Sequence, residues 1–281
     1  MRGDLIFESK FHNNSVVILD CLGAGDQKNG RWLEESLNDM SSVLGRPGYC
    51  VLKRIGTLAQ LVAELKVIES SCRMGITKPV LHVEAHGDPV RGLLISGTGE
   101  YVSWQKLSDL VSVINSASQN NAGLVLASCN GFVITNLVRI NKPSPYHFLL
   151  APDSKVSAGE LRTVLTAFYK EIIQSSNLNF AMAELPHHYK RYLCTEWFCV
   201  RFAKFMKQNL SGKAKSAFTE EALNAALKRH GSEHITALRR AVKTYIHSPQ
   251  ALFESSAEIF LMGELPVGYD QFESFVKGQL D

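Results

Sequence analysis

Two stretches decide the fold: LHVEAHGD at residues 81–88 and LVLASCNG at residues 124–131. In each stretch a short, mostly apolar run leads into a turn that carries a glycine and a side chain able to do chemistry. Short apolar runs bounded by turn residues are typical of strands that are buried on both faces. Each stretch is therefore predicted to be a buried strand followed by a tight turn.

Strands and amphipathic helices alternate around these stretches through the first 175 residues. The remaining predicted elements are strands at 15–20, 49–55 and 148–151, a small hairpin with strands at 92–96 and 100–102, and helices at 31–44, 58–68, 104–115 and 157–175. This alternation predicts an α/β fold with a mainly parallel sheet and helices on both faces. The carboxyl ends of parallel strands share one edge of such a sheet, and ligands bind at that edge.

The chain changes character after residue 185. Residues 190–208 place apolar side chains at helical spacing, and further helices are predicted up to Pro249. We therefore predict two domains: an α/β domain at 1–185 and a helical C-terminal appendage at 186–281.

The net charge is +3, from 30 basic and 27 acidic residues, which is too small to indicate a nucleic-acid partner by itself. The charge is nevertheless uneven: residues 186–243 hold 12 basic and 4 acidic residues, and residues 244–281 hold 1 basic and 6 acidic residues. Two interpretations stay open. The basic part either supports solubility or holds an anionic partner.

No signal peptide is recognisable, and the six cysteines lack paired spacing. The stretch 110–138 carries no charged residue, but its many Asn, Ser and Gly residues argue against a membrane span. We expect a cytoplasmic protein with reduced thiols and no membrane partner.

His86 and Cys129 are the candidates for chemistry. Neighbouring parallel strands would bring them side by side at the sheet edge, where a His can activate a Cys as nucleophile. The backbone N–H groups of Gly87 and Cys129 would then bind a developing oxyanion. The alternative interpretation is a buried structural cysteine beside an incidental histidine.

These residues resemble the His-Gly and Ala-Ser-Cys elements of the caspase-like cysteine peptidases, a family that includes caspases, metacaspases, separases and the bacterial CHAT group. Here His86 and Cys129 are 43 positions apart, and Phe168-Tyr169 is similar to the Phe-Tyr pair of a later helix in that family. The resemblance covers about residues 15–185. It implies that Cys129 is the nucleophile and His86 the general base and acid. It further implies protein or peptide substrates and no metal or organic cofactor, and the family needs no fixed third carboxylate.

The sequence departs from many of those relatives at the acidic residue that precedes the Phe-Tyr helix. The corresponding place here is Ser157 or Ala158. Asp20 and Asp153 are the remaining candidates for lining the substrate pocket, where a carboxylate would favour Arg or Lys before the scissile bond. For each, a solvated turn carboxylate is the alternative.

The sequence therefore predicts a cysteine endopeptidase. The resemblance implies a regulated effector, such as those of bacterial antiphage defence, activated by a nucleotide-type ligand or a protein partner. Two other functions stay open: a catalytically idle caspase-like sensor of a nucleotide-type ligand, and a nucleic-acid-binding module that uses the basic tail.

Two weaker motifs are set aside. The Gly23–Gly25 turn lacks the third glycine of a dinucleotide loop, and the His and Cys residues at 187–199 lack paired zinc spacing.

Overall fold

The computed structural model of the protein describes residues 11–183, 185–210, 212–231, 235–265 and 267–278. The chain forms two compact units. Among the described residues, one unit holds residues 11–139 together with Pro143–Cys194, and the other holds Ile140–Lys142 and the residues from Thr195 onward.

The first unit alternates strands and helices, as predicted. In chain order its elements are β1 (Ser15–Asp20), α1 (Gly30–Val43), β2 (Cys50–Arg54), α2 (Leu58–Arg73), β3 (Pro79–Glu84), β4 (His86–Asp88), β5 (Gly92–Ile95), β6 (Glu100–Val102), α3 (Trp104–Ala117), β7 (Gly123–Ala127), a 3-10 helix (Gly131–Leu137), β8 (Phe148–Pro152), α4 (Ala158–Ser175), α5 (Leu178–Ala183) and β9 (Tyr189–Leu193). Three of the helices begin at a hydroxyl side chain that accepts a backbone N–H of the first turn: Thr57 for α2, Ser103 for α3 and Ser157 for α4.

Within the described residues, six strands form the main sheet in the order β2-β1-β3-β7-β8-β9. All neighbouring pairs are parallel except β8 and β9. The central strands β3 and β7 are buried at every residue, which explains why β7 is wholly apolar and β3 is apolar except at His82 and Glu84. The smaller strands β4, β5 and β6 form a separate antiparallel sheet.

Helices cover both faces of the main sheet. Alternate strand residues such as Val16, Val80 and Val125 share one core with α1, α4 and α5. The residues between them, such as Leu81 and Leu124, are also buried, and α2 and α3 pack together on that side. The predicted α/β class, with a mainly parallel sheet between helical layers, is confirmed.

Side chains of α1 form hydrogen bonds to the backbone at the outer edge of β2. Asn38 accepts the N–H of Cys50 and donates to its carbonyl, both at 2.9 Å. Glu34 accepts the N–H of Leu52 at 2.8 Å. Three of the backbone groups that a further strand would need are therefore already paired.

The prediction of a helix over residues 190–208 is wrong at its start. Residues 189–193 form β9, which pairs with β8, and the helix begins only at Cys194. Tyr189, Tyr192 and Leu193 are buried against the sheet, and this packing outweighs the helical spacing. The main sheet thus continues beyond residue 185, and the predicted domain boundary there stays a prediction.

The helical C-terminal region comprises α6 (Cys194–Asn209), α7 (Gly212–His230), α8 (Ile235–Ile246), α9 (Pro249–Phe260) and α10 (Tyr269–Gly278). Its core is aromatic: Phe198, Phe202, Phe253, Phe260 and Phe272 are fully buried and contact one another. Across all the ranges that the structure describes, no helix is both long enough and apolar enough to cross a membrane.

Candidate active site

The turns after β3 and β7 bring His86 and Cys129 to one pocket. Glu84 and Ala127, the last residues of the two strands, are paired in register, and each candidate follows its strand end by two residues. Both side chains line a pocket of about 120 Å³. The side chain of His86 is 57% exposed, and Cys129 is half-buried. The structure therefore places both candidates at one pocket, and their roles in a reaction stay a prediction.

Gly87 lies directly against the backbone of Cys129. A Cβ atom at Gly87 would be 1.9 Å from the Cys129 carbonyl oxygen and 3.3 Å from its nitrogen. No side chain fits in that space, so only glycine lets the two turns approach this closely. The two backbone segments predicted to bind an oxyanion are thus neighbours.

The turn that carries Cys129 is held by local contacts. Asn130 adopts a left-handed conformation with φ of 57°, which Asn tolerates better than most residues. Its N–H donates to the Ser154 carbonyl at 3.1 Å. Within the described residues the N–H of Cys129 itself has no hydrogen-bond acceptor. A donor without a partner beside a thiol is what an oxyanion site requires.

Cys129 differs from the other five cysteines. All six lie among the described residues, and Cys129 alone is not buried. Burial raises the pKa of Cys21 and of Cys50 to about 12, so these thiols stay protonated. The thiol of Cys129 makes a long contact, 3.8 Å, to the carbonyl of Val156. Exposure and position make Cys129 the candidate nucleophile.

Asp26 is a pocket residue that sequence reasoning missed. It lies in the loop after β1, and its Oδ1 is 3.0 Å from Nε2 of His86. Its Oδ2 accepts the N–H of Gly23 at 2.6 Å. The pKa of the Asp26 carboxyl lies below its ordinary value. The hydrogen bond from the Gly23 N–H is the largest cause, and the contact with His86 is the next largest. The only available signal was an acidic residue in a loop at the same sheet edge.

Glu84 is a second carboxylate that was not singled out. It is 3% exposed and lines the same pocket. Its Oε2 accepts the N–H of Gly30 at the start of α1, at 2.9 Å, which is a favourable place for a negative charge. Its Oε1 lies 3.7 Å from Nε2 of His82.

His82 is completely buried beside this carboxylate. Its Nδ1 is 3.0 Å from the hydroxyl of Tyr169. Its Nε2 has no hydrogen-bond partner among the described residues, and the residue lines a cavity of about 10 Å³. This volume is close to the smallest that holds one water molecule. His82 therefore belongs to the packing beneath the pocket.

The structure does not bring Asp20 or Asp153 to this pocket. The buried carboxylate of Asp20 accepts the N–H of Leu22 at 3.0 Å and lies 3.8 Å from Arg54. Asp153 is exposed and pairs with Lys190 at 3.4 Å. A role of either residue in substrate binding stays a prediction.

Fold and site together define an α/β protein with a cysteine and a histidine at the carboxyl edge of its parallel strands. No model of a known protein family matches the sequence, and no curated protein matches it significantly. The family assignment therefore stays a prediction that rests on the short motifs around His86 and Cys129.

Proposed function

We propose that the protein is a caspase-like cysteine endopeptidase with Cys129 as nucleophile and His86 as general base and acid. The observation that carries this proposal is the contact of Gly87 with the backbone of Cys129. It holds the two strand exits together so that the thiol and the imidazole line one pocket.

The proposed reaction has two stages. His86 takes the thiol proton, and the sulfur of Cys129 attacks the peptide carbonyl carbon to form a tetrahedral oxyanion. The backbone N–H groups of Gly87 and Cys129 stabilise this oxyanion. His86 then gives its proton to the leaving amine, and water hydrolyses the thioester to release the acid and restore the thiol.

The charges that line the pocket support a substrate with a basic side chain before the scissile bond. Among the described lining residues, Asp26 and Glu84 are acidic, and no Lys or Arg is present. A buried carboxylate binds a guanidinium or ammonium group through charge-assisted hydrogen bonds. Glu84, which is buried and lines the pocket, thus supports the predicted preference for Arg or Lys better than Asp20 or Asp153 does.

The proposal extends to a regulated effector in the cytoplasm, with antiphage defence as the setting implied by resemblance. The six cysteines, none of them in a disulfide, are compatible with a reducing compartment. The basic segment at 186–243 supports activation by an anionic, nucleotide-type ligand, and a protein partner is the other activator considered.

The experiment compares cleavage of a peptide library and of whole-cell protein by the wild type, Cys129→Ala and His86→Ala, each also incubated with cell extract as a source of activator. We expect each substitution to remove nearly all cleavage, and the double variant to be no worse, because the two residues act as one unit. The control is Cys199→Ser, at a buried cysteine that does not line the pocket. Full cleavage by a folded Cys129→Ala protein would falsify the proposal.

A further inference from the structure

The imidazole of His86 has a carboxylate partner whose own orientation is fixed. Oδ1 of Asp26 lies 3.0 Å from Nε2 of the ring, and Oδ2 is held by the N–H of Gly23 at 2.6 Å. Since both oxygens are engaged, the carboxylate cannot rotate without losing one of these contacts. The side of the imidazole ring that carries Nε2 is therefore anchored to the loop after β1.

This contact determines where the neutral ring carries its hydrogen. The pKa of Asp26 lies below its ordinary value, so the group is ionised at neutral pH and only accepts hydrogen bonds. Nε2 must then be the N–H donor. A neutral imidazole has a single N–H, so Nδ1 keeps its lone pair and can accept a proton.

We propose that Asp26 is a positioning residue that holds His86 in the Nε2–H tautomer and leaves Nδ1 to take the proton of Cys129. The inference rests on the proposed function and adds a carboxylate to what the resemblance implies is a pair. When the thiol proton moves to Nδ1, the ring becomes a cation beside the ionised Asp26, which stabilises it without taking a proton. The proton on Nδ1 then passes to the leaving amine, and the ring is neutral again.

The other acidic residues near the ring are engaged elsewhere. Glu84 lines the pocket, but its Oε2 accepts the N–H of Gly30. Asp88 lies in the same strand as His86, but it accepts the N–H groups of Val90 and Arg91 and pairs with the Arg91 side chain at 3.0 Å. The contact with the imidazole is made by Asp26.

The test is Asp26→Asn, which keeps the shape of the side chain and one oxygen but removes the charge. An amide can also donate to Nε2, which favours the opposite tautomer. We expect kcat for peptide cleavage to fall about 100-fold with KM little changed. In ¹⁵N-histidine NMR spectra at neutral pH, we expect wild-type His86 to show the Nε2–H form and the variant to lose it.

Asp88→Asn is the matched control, because Asp88 also accepts loop N–H groups but does not contact the ring. It should leave kcat and the tautomer unchanged. If Asp26→Asn unfolds, Asp26→Ser replaces it, with melting temperature as the check. A folded variant that retains the Nε2–H form, with or without reduced kcat, overturns the inference, since a purely structural role would not move the tautomer. A wild type without peptidase activity would overturn the proposed function instead, and the NMR comparison would still decide the role of Asp26.

Discussion

Gly87 is the residue on which the geometry of the candidate site depends most directly. We expect Gly87→Ala to force the two turns apart, because its Cβ would lie 1.9 Å from the Cys129 carbonyl oxygen. Displacements of about 1 Å at a reacting group cost about 100-fold in rate. Alkylation of Cys129 by iodoacetamide, followed by mass spectrometry, and peptide cleavage should both slow by about that factor.

Gly159→Ala in α4 is the control for this substitution. A Cβ at Gly159 meets no atom within 4 Å, so reactivity should be unchanged and the helix slightly stabilised. Equal reactivity of the Gly87→Ala and wild-type proteins would show that the close approach does not matter for the site.

His147 gives a second prediction at the residue scale, which concerns acid stability. The ring is 2% exposed, its Nδ1 lies 2.8 Å from the Asn120 carbonyl, and burial lowers its pKa from 6.5 to about 4. The unfolded chain takes up a proton below pH 6.5, whereas the folded protein does so only near pH 4. The contribution of this group to the free energy of unfolding is therefore fully present above pH 6.5 and is lost as the pH falls towards 4. At pH 5 the loss is about 2 kcal/mol.

Urea unfolding of the wild type and His147→Gln at pH 7 and pH 5 measures this contribution. Between pH 7 and pH 5, the free energy of unfolding should fall by about 2 kcal/mol less in the variant than in the wild type. This difference does not depend on the stability of the variant at pH 7. Parallel losses in the two proteins would contradict the assignment.

At the scale of elements, the closure of β2 by α1 is testable through stability. Asn38→Ala removes two hydrogen bonds to the backbone of Cys50 and should lower the free energy of unfolding by about 1–2 kcal/mol. Asp39→Ala, at an exposed position of the same helix, should change it by less than about 0.5 kcal/mol. If the two variants are equally stable, the hydrogen bonds of Asn38 to the Cys50 backbone stabilise the protein no more than hydrogen bonds to water would.

The elements that the sequence reveals are those with a local signal. β7 is a continuous apolar run and β3 is a largely apolar one, so their positions follow from the pattern, and so does the placing of His86 and Cys129 at one edge of the sheet. β9 was missed because Lys190 and Arg191 interrupt its apolar residues and because its pairing with β8 is a long-range contact. Asp26 was missed for a similar reason. Its contact with His86 joins residues 60 positions apart, and no local spacing encodes it.

At the scale of the whole molecule, the prediction concerns control. A protease active at all times would harm its own cell, so we expect the isolated protein to be nearly inactive and to gain activity with an anionic activator. The probes are ATP and a nucleotide extract of cells. Lys204→Glu combined with Lys213→Glu, at two exposed positions of the basic segment, should weaken activation.

Once activated, the charge-reversed protein should react with an iodoacetamide probe at Cys129 as fast as the wild type. Lys66→Glu, at an exposed lysine of α2, is the charge-matched control. If the isolated protein is fully active and the charge-reversal substitutions do not change this, activation through the basic segment is ruled out. The proposal that the protein is a peptidase would not be affected.

The closed edge of β2 also has a consequence for how the protein behaves in a crowded solution. Exposed strand edges seed β-aggregates, because each unpaired N–H and carbonyl group offers a template to another chain. An incoming strand beside β2 would first have to break the three hydrogen bonds that Asn38 and Glu34 make to Cys50 and Leu52. These two side chains of α1 thus act as gatekeepers against aggregation at this end of the sheet.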